Sequence, residues 1–345
     1  MDRRPGADVP ARAGSRRNRL SGTAAPRYLR NAAIAAAVIA VAALVRFYLP
    51  GPWPWRHGGP AAPAIPGAGR FYLGVDSSGG TLAAYDAAIG VSQPAIFGAY
   101  TIGDDGSVGQ VLGYSKELPG TIPMVSWGVD MRNGAITDGS ADSYLRAQAA
   151  AVVAYKKPVF IRLDWEMNGT WYPEWSRPAV SSSAYVAAWR HIWTIFHQAG
   201  ATNAAFVWCP NVGEFGGQAW TDWYPGSAYV DWVGMDAYPQ PSDLTANISG
   251  TGGLNALAQF AQRNGKPAML AEWAPGEPAQ DPAATVDAVF GWAARYPDAV
   301  KALVYFNFGS ARQNYVLTAD PTGAAEMHRL VAQDKADLYG IGRVE

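Results

Sequence analysis

Residues Val159-Phe160-Ile161-Arg162-Leu163-Asp164-Trp165-Glu166-Met167-Asn168-Gly169-Thr170-Trp171-Tyr172-Pro173 govern how the remaining sequence is read. The first half follows Lys157-Pro158 and is apolar and partly β-branched, the pattern of a buried strand. The second half breaks at Asn168-Gly169, a turn signal, ahead of Trp171 and Tyr172. A carboxylate, Glu166, stands where the strand stops. In barrels of parallel strands chemistry collects at that end, because rigid strands aim side chains and the following loops build a pocket. Strand periodicity puts Arg162 and Asp164 on the face of Glu166, with Leu163 and Trp165 pointing outward. A buried Arg162 and Asp164 are expected to pair, since an unpaired buried charge is costly.

Short apolar runs recur on both sides of this stretch, at 71–76, 95–100, 121–127, 204–211, 231–238, 267–273 and 300–308. Between them lie helical patterns over 140–155, 183–199, 253–264 and 283–296, with Gly200 and Gly265 as stop signals. Strands alternating with helices predict parallel βαβ units, and eight of them fit an α/β fold of the (β/α)₈ barrel type spanning 70–335. No Gly-rich loop follows the first strand, which argues against a dinucleotide-binding sheet. No internal repeat or metal-ligand cluster is evident. His191 and His197 share one helical segment and read as structural or surface groups. Cys209, the single cysteine, sits in an apolar strand and reads as a buried, inert thiol.

At 345 residues and 49% apolar, the chain has room for a large core. A net charge of −1 carries no polyanion signal, so no nucleic-acid partner is expected. The 14 Trp and 17 Tyr offer flat faces suited to sugar rings, although aromatic residues also fill cores. The first 30 residues are basic and rich in Gly, Pro and Ala, and read as a disordered cytoplasmic tail. An apolar run from 32 to 45, followed by Arg46-Phe47-Tyr48, places a signal anchor or a signal peptide at 31–49. Residues 50–69 form a Pro/Gly/Ala linker. The remainder is expected to be exported, held at the membrane by the N-terminal segment or secreted if that segment is cleaved.

The seventh run ends in Met269-Leu270-Ala271-Glu272-Trp273. Glu166 and Glu272 therefore stand at the ends of strands four and seven, on opposite sides of one barrel mouth. Two facing carboxylates are what glycoside hydrolysis needs: one protonates the leaving oxygen, and the other attacks the anomeric carbon or activates water. A separation of about 5–5.5 Å gives retention and a wider gap inversion.

Four segments taken in order resemble glycoside hydrolase family 26: Glu166 through Pro173; Val207-Trp208-Cys209-Pro210-Asn211; Tyr224-Pro225-Gly226 with the run from Tyr229 to Tyr238; and Lys266-Pro267 leading to Ala271-Glu272-Trp273. The resemblance covers roughly residues 70–330. It implies a retaining (β/α)₈ enzyme of the β-mannanase type, with some β-glucanases and xylanases in the same family. It further implies Glu166 as general acid/base and Glu272 as nucleophile. Tyr238 would donate a hydrogen bond to that nucleophile, and Trp171 would be a stacking platform. Asp76, Trp127, Asn211, Asp236, Trp273 and Asn307 are the other substrate-binding candidates. The resemblance departs at Trp165, where mannanases of this family carry His that helps hold the sugar, so it does not extend to strict mannan specificity. The expectation is a monomeric, retaining endo-β-glycosidase acting on a β-1,4-linked polysaccharide or oligosaccharide without cofactor or metal. A hydrolase or transglycosylase of the cell's own exopolysaccharide, or a binding barrel without turnover, would fit the same residues.

Overall fold

The computed structural model describes residues 62–63, 65–77, 82–103, 106–132, 134–276, 281–309, 314–333 and 338–339. The basic tail, the apolar segment and most of the linker expected before residue 62 lie outside these residues. Among the described residues no helix is long and apolar enough to cross a membrane.

Eight parallel strands form the interior: β1 (Phe71–Ser77), β2 (Ile96–Ile102), β3 (Ile122–Gly128), β4 (Val159–Leu163), β5 (Ala204–Trp208), β6 (Trp232–Ala237), β7 (Ala268–Trp273) and β8 (Val300–Asn307). Each pairs with the next, and β1 pairs with both β8 and β2, so the sheet closes on itself. A two-residue strand, β9 (Leu338–Tyr339), pairs with β1 at Phe71 and Tyr72, below the point where β2 begins its own pairing. Helices α1 (Leu82–Ile89), α2 (Val108–Tyr114), α3 (Asp142–Tyr155) and α4 (Ser182–Gln198) follow the first four strands. Helices α5 (Leu244–Ser249) and α6 (Leu254–Asn264) follow β6, α7 (Pro282–Arg295) follows β7, and α8 (Pro321–Gln333) follows β8. After β5 comes a 3₁₀ turn, Trp220–Trp223. The architecture is the (β/α)₈ barrel that the alternation of patterns predicts.

Local chemistry explains the helix limits. In α4, Ser181 accepts a hydrogen bond from the amide of Ala184 at the start. Tyr185, Ala188, Trp189, Ile192, Ile195 and Phe196 form the buried stripe at helical spacing. The helix stops at Gly200, whose φ of 75° and amide bond to His197 O close the last turn. Helices α1, α2, α5 and α8 are not among the helical patterns read from the sequence; α1, α2 and α5 are at most eight residues long, too short to set up a clear period.

The barrel has two distinct interiors. At the lower end Tyr72, Phe160 and Trp232 meet from β1, β4 and β6, with ring centroids 5.1–6.4 Å apart. Above them the buried interior turns polar, with Asp76, Ser126, Arg162, Asp236 and Glu272. Much of the tryptophan lies outside the sheet, between strand and helix. Trp127 packs on Phe196, Trp208 on Phe260, and Trp273 on Phe290, at 5.8, 5.9 and 6.3 Å. The final residues of the expected linker are tied to the barrel floor: Gly69 N donates to Pro297 O, and Lys301 Nζ donates to Gly67 O.

Candidate active site

The chain leaves β4 in an unusual way. The strand ends at Leu163, and both Asp164 (φ 42°) and Glu166 (φ 55°) are left-handed, a conformation that costs free energy in residues other than glycine. The strand alternation therefore stops two residues before Glu166, and two expectations built on it fail. Arg162 does not pair with Asp164: its guanidinium donates to Asp236 Oδ2 and Glu272 Oε1, and to Ser126 Oγ at 3.0 Å. Asp164 turns toward the loop after β3, where Oδ1 accepts the Val129 amide at 2.7 Å. Trp165 does not face the helices either. It lines the cavity at the barrel mouth, its ring centroid 5.1 Å from the Arg162 guanidinium carbon.

Backbone bonds hold this turn. Glu166 N donates to Cys209 O at 2.7 Å, and Gly169 N donates to Glu166 O at 2.9 Å. The Asn168 amide bridges to the loop after β5, donating to Asn211 O and accepting from Asn211 N. Trp171 then folds back over Gly169, where an added Cβ would lie 2.4 Å from the indole ring. Below it, Tyr172 and Trp175 stack at 4.7 Å, and Trp175 Nε1 donates to Trp165 O.

The result is a cavity of about 740 Å³. Of the residues singled out in the sequence, it brings together Glu166, Glu272, Tyr238, Trp171 and Asn211. Glu166 accepts from Trp171 Nε1 on Oε2 and from Asn211 Nδ2 on Oε1, each at 2.5 Å. Glu272 accepts from Tyr238 on Oε2 at 2.5 Å, and from Tyr100 (2.6 Å) and Arg162 on Oε1. Burial, and then the Glu272 carboxylate, push the Glu166 carboxyl up to about 7, against the pull of its two donors. The two acids thus have unlike surroundings, the arrangement that separates a proton donor from a nucleophile.

Asp76 and Asp236 lie beneath the cavity floor, both fully buried. Asp236 Oδ1 accepts the Cys209 thiol hydrogen at 3.1 Å, and Asp76 Oδ2 faces the Tyr100 hydroxyl at 3.1 Å. Trp127, Trp273 and Asn307 are not brought to the cavity. Trp127 Nε1 donates to Tyr144 on the helix side, and Trp273 is buried against Phe290 and Tyr305. Asn307 spends its amide on Ser77 Oγ and the Leu317 N–H. Tyr100, Ile102, Tyr172, Phe306, Phe308 and Tyr315 line the cavity without having been singled out in the sequence. Tyr100 and Phe306 lie near strand ends, a signal they share with the carboxylates. Tyr172 and Tyr315 arrive on loops, where no periodicity points to them.

A model of glycosyl hydrolase family 26 matches residues 141–273. That stretch is similar to the family. It contains both glutamates, Tyr238, Trp171 and Asn211. Relatives to which the chain is similar include endoglucanase H of Acetivibrio thermocellus, 37% identical over 131 residues, or 34% of this chain and 14% of that protein. Another is mannan endo-1,4-beta-mannosidase A and B of Caldalkalibacillus mannanilyticus, 30% identical over 133 residues, or 36% of this chain and 24% of that protein. The chain thus spans less than a quarter of the length of these curated relatives. The barrel as a whole superimposes on solved structures. An endo-beta-1,4-mannanase from Cellulomonas fimi aligns with a TM-score of 0.62 at 18% identity, covering 80% of this chain and 75% of the other. A family 26 β-mannanase from Bacteroides ovatus aligns at 0.59 and 15%, covering 80% and 92%. At these identities the likeness shows the shared fold.

Proposed function

We propose that the chain is a retaining endo-β-1,4-glycosidase of the mannanase type, with Glu166 as general acid/base and Glu272 as nucleophile. One observation carries this reading: two buried glutamates reach one cavity from β4 and β7, one held near 7 by burial, the other gripped by an arginine and two tyrosines. In the proposed double displacement, Glu272 attacks C1 while Glu166 protonates the departing oxygen. Glu166 then deprotonates the water that releases the sugar. Oε2 of Glu272, with Tyr238 as its single donor, is the oxygen left free to attack. Trp171, 43% exposed beside the acid, is the stacking platform, and Asn211 sets the orientation of Glu166. The basic tail and apolar run support an exported enzyme, anchored or cleaved.

Trp165 favours a second reading. It fills the cavity wall where the related mannanases carry His, and its Nε1 is engaged with the Tyr172 hydroxyl at 3.2 Å. A site altered at that point, on a chain with an N-terminal apolar run, fits a hydrolase or transglycosylase of the cell's own exopolysaccharide. The test is release of reducing ends by the full chain from galactomannan, glucomannan, mixed-linkage β-glucan and xylan, with Glu166→Ala and Glu272→Ala as controls. Cleavage of one polymer, lost in both variants, supports the first reading. Silence on all four with cleavage of purified surface glycan supports the second. Sugar binding without cleavage of anything overturns both.

A further inference from the structure

Four buried carboxyl groups lie near one cation, Arg162: Glu166 and Glu272 at the cavity wall, and Asp76 and Asp236 beneath it. Arg162 makes ion pairs with Asp236 and Glu272. Among the described residues no cation is paired with Asp76, although it is fully buried. Its Oδ1 has no hydrogen-bond partner and lies against Gly98, where an added Cβ would come within 1.2 Å of it. Its Oδ2 faces the Tyr100 hydroxyl at 3.1 Å, and that hydroxyl also lies 2.6 Å from Glu272 Oε1.

A phenol has one hydrogen and cannot donate to two carboxylates at once. Either the hydrogen is shared between two anions, or one of the two acids carries a proton of its own and donates it to the phenol oxygen. Glu272 has Arg162 on the same oxygen, so the proton belongs on Asp76. We propose that Asp76 is a positioning residue that, as the neutral acid, donates from Oδ2 to the Tyr100 oxygen and so commits the Tyr100 hydrogen to Glu272. This deepens the glycosidase reading and rests on it for the role of Glu272. The chain runs Asp76 O–H to Tyr100 O–H to Glu272 Oε1, with Arg162 on that same oxygen, and it holds the carboxylate in one rotamer under the cavity.

The groups facing Asp76 agree with this. Burial and then the Glu272 carboxylate raise its proton affinity, while Arg162 and the Tyr100 hydroxyl oppose them more weakly. Burial raises Asp236 as well, but there Arg162 is the leading opposing influence and both oxygens have donors.

The test compares Asp76→Asn with Asp76→Ala in the full chain. An asparagine amide can donate to Tyr100 as the neutral acid does. Asp76→Asn is therefore expected to keep kcat within about threefold and to leave the pH profile unchanged. Asp76→Ala is expected to lower kcat roughly ten- to hundredfold with KM little changed, and Tyr100→Phe to lower it similarly, with no further loss in the double variant. A second measurement needs no substrate. The infrared difference between wild type and Asp76→Asn at neutral pH is expected to show the carbonyl stretch of a protonated carboxyl in the wild type alone. Asp76→Asn as slow as Asp76→Ala, or the absence of that band from the difference, overturns the proposal. If no polymer is cleaved, the glycosidase reading fails while the infrared band still decides the state of Asp76.

Discussion

Glu166 stores a proton near neutrality because the barrel mouth excludes water from it while Glu272 repels its charge. The sign of the pH effect follows. A carboxyl whose folded-state value lies above its unfolded one stabilises the fold at low pH, and that contribution is lost as pH rises through about 7. Glu166→Gln should match the wild type in stability below the ordinary carboxylate range and exceed it above pH 7, by on the order of 2–3 kcal/mol, in urea melts at the two pH values. The same substitution should lower kcat on a polysaccharide by roughly 10²–10⁴-fold, the usual worth of a general acid. Trp171→Ala should raise KM about five- to tenfold by removing the proposed sugar platform. Its melting temperature should hold, since the ring is 43% exposed. At this scale the glutamates, Tyr238 and Asn211 are legible as cavity residues because each lies within three residues of a strand's end. Trp127 and Trp273 were misplaced, though each adjoins a residue that points inward, Ser126 and Glu272, and alternation then sends the indole outward.

The eight strands and four of the helices can be read from runs and stop signals. The end of β4 cannot. Two left-handed residues in three break the period of two, and no propensity scale anticipates Asp164 and Glu166 there. What holds them is tertiary: the Val129 amide on Asp164, Cys209 O under the Glu166 amide, and the Asn168 bridge to Asn211. Asp164→Ala should release the strap between the β3 loop and β4, at a cost of about 1–3 kcal/mol in chemical denaturation. It should also lower kcat more than it changes KM, because the freed turn carries Glu166, the acid of the proposed reaction. If only stability falls, the turn holds its shape without the strap.

Across the whole molecule, aromatic residues divide between two tasks that composition does not separate. Trp127, Trp208, Trp273 and Trp292 are fully buried, the first three between strand and helix, whereas Trp165 and Trp171 line the cavity. Trp273→Leu should lower the melting temperature through lost packing, at a cost of a few kcal/mol, and leave KM within twofold. A large rise in KM with an intact melting temperature would instead place Trp273 in contact with sugar. The closing of β8 on β1 and β1 on β2 is likewise invisible to any single segment. It is implied only by the count of eight and the absence of a phosphate loop.

One side chain, the Trp171 indole, offers its ring to solvent and its N–H to the acid. A ligand that settles on that ring dehydrates Glu166 further, and a drier carboxyl takes up a proton more readily. On the proposed glycosidase reading, substrate capture and protonation are then a single linked event. Calorimetric titration with a slowly cleaved oligosaccharide above pH 7 should give a heat that varies with the ionisation enthalpy of the buffer, in the direction of proton uptake.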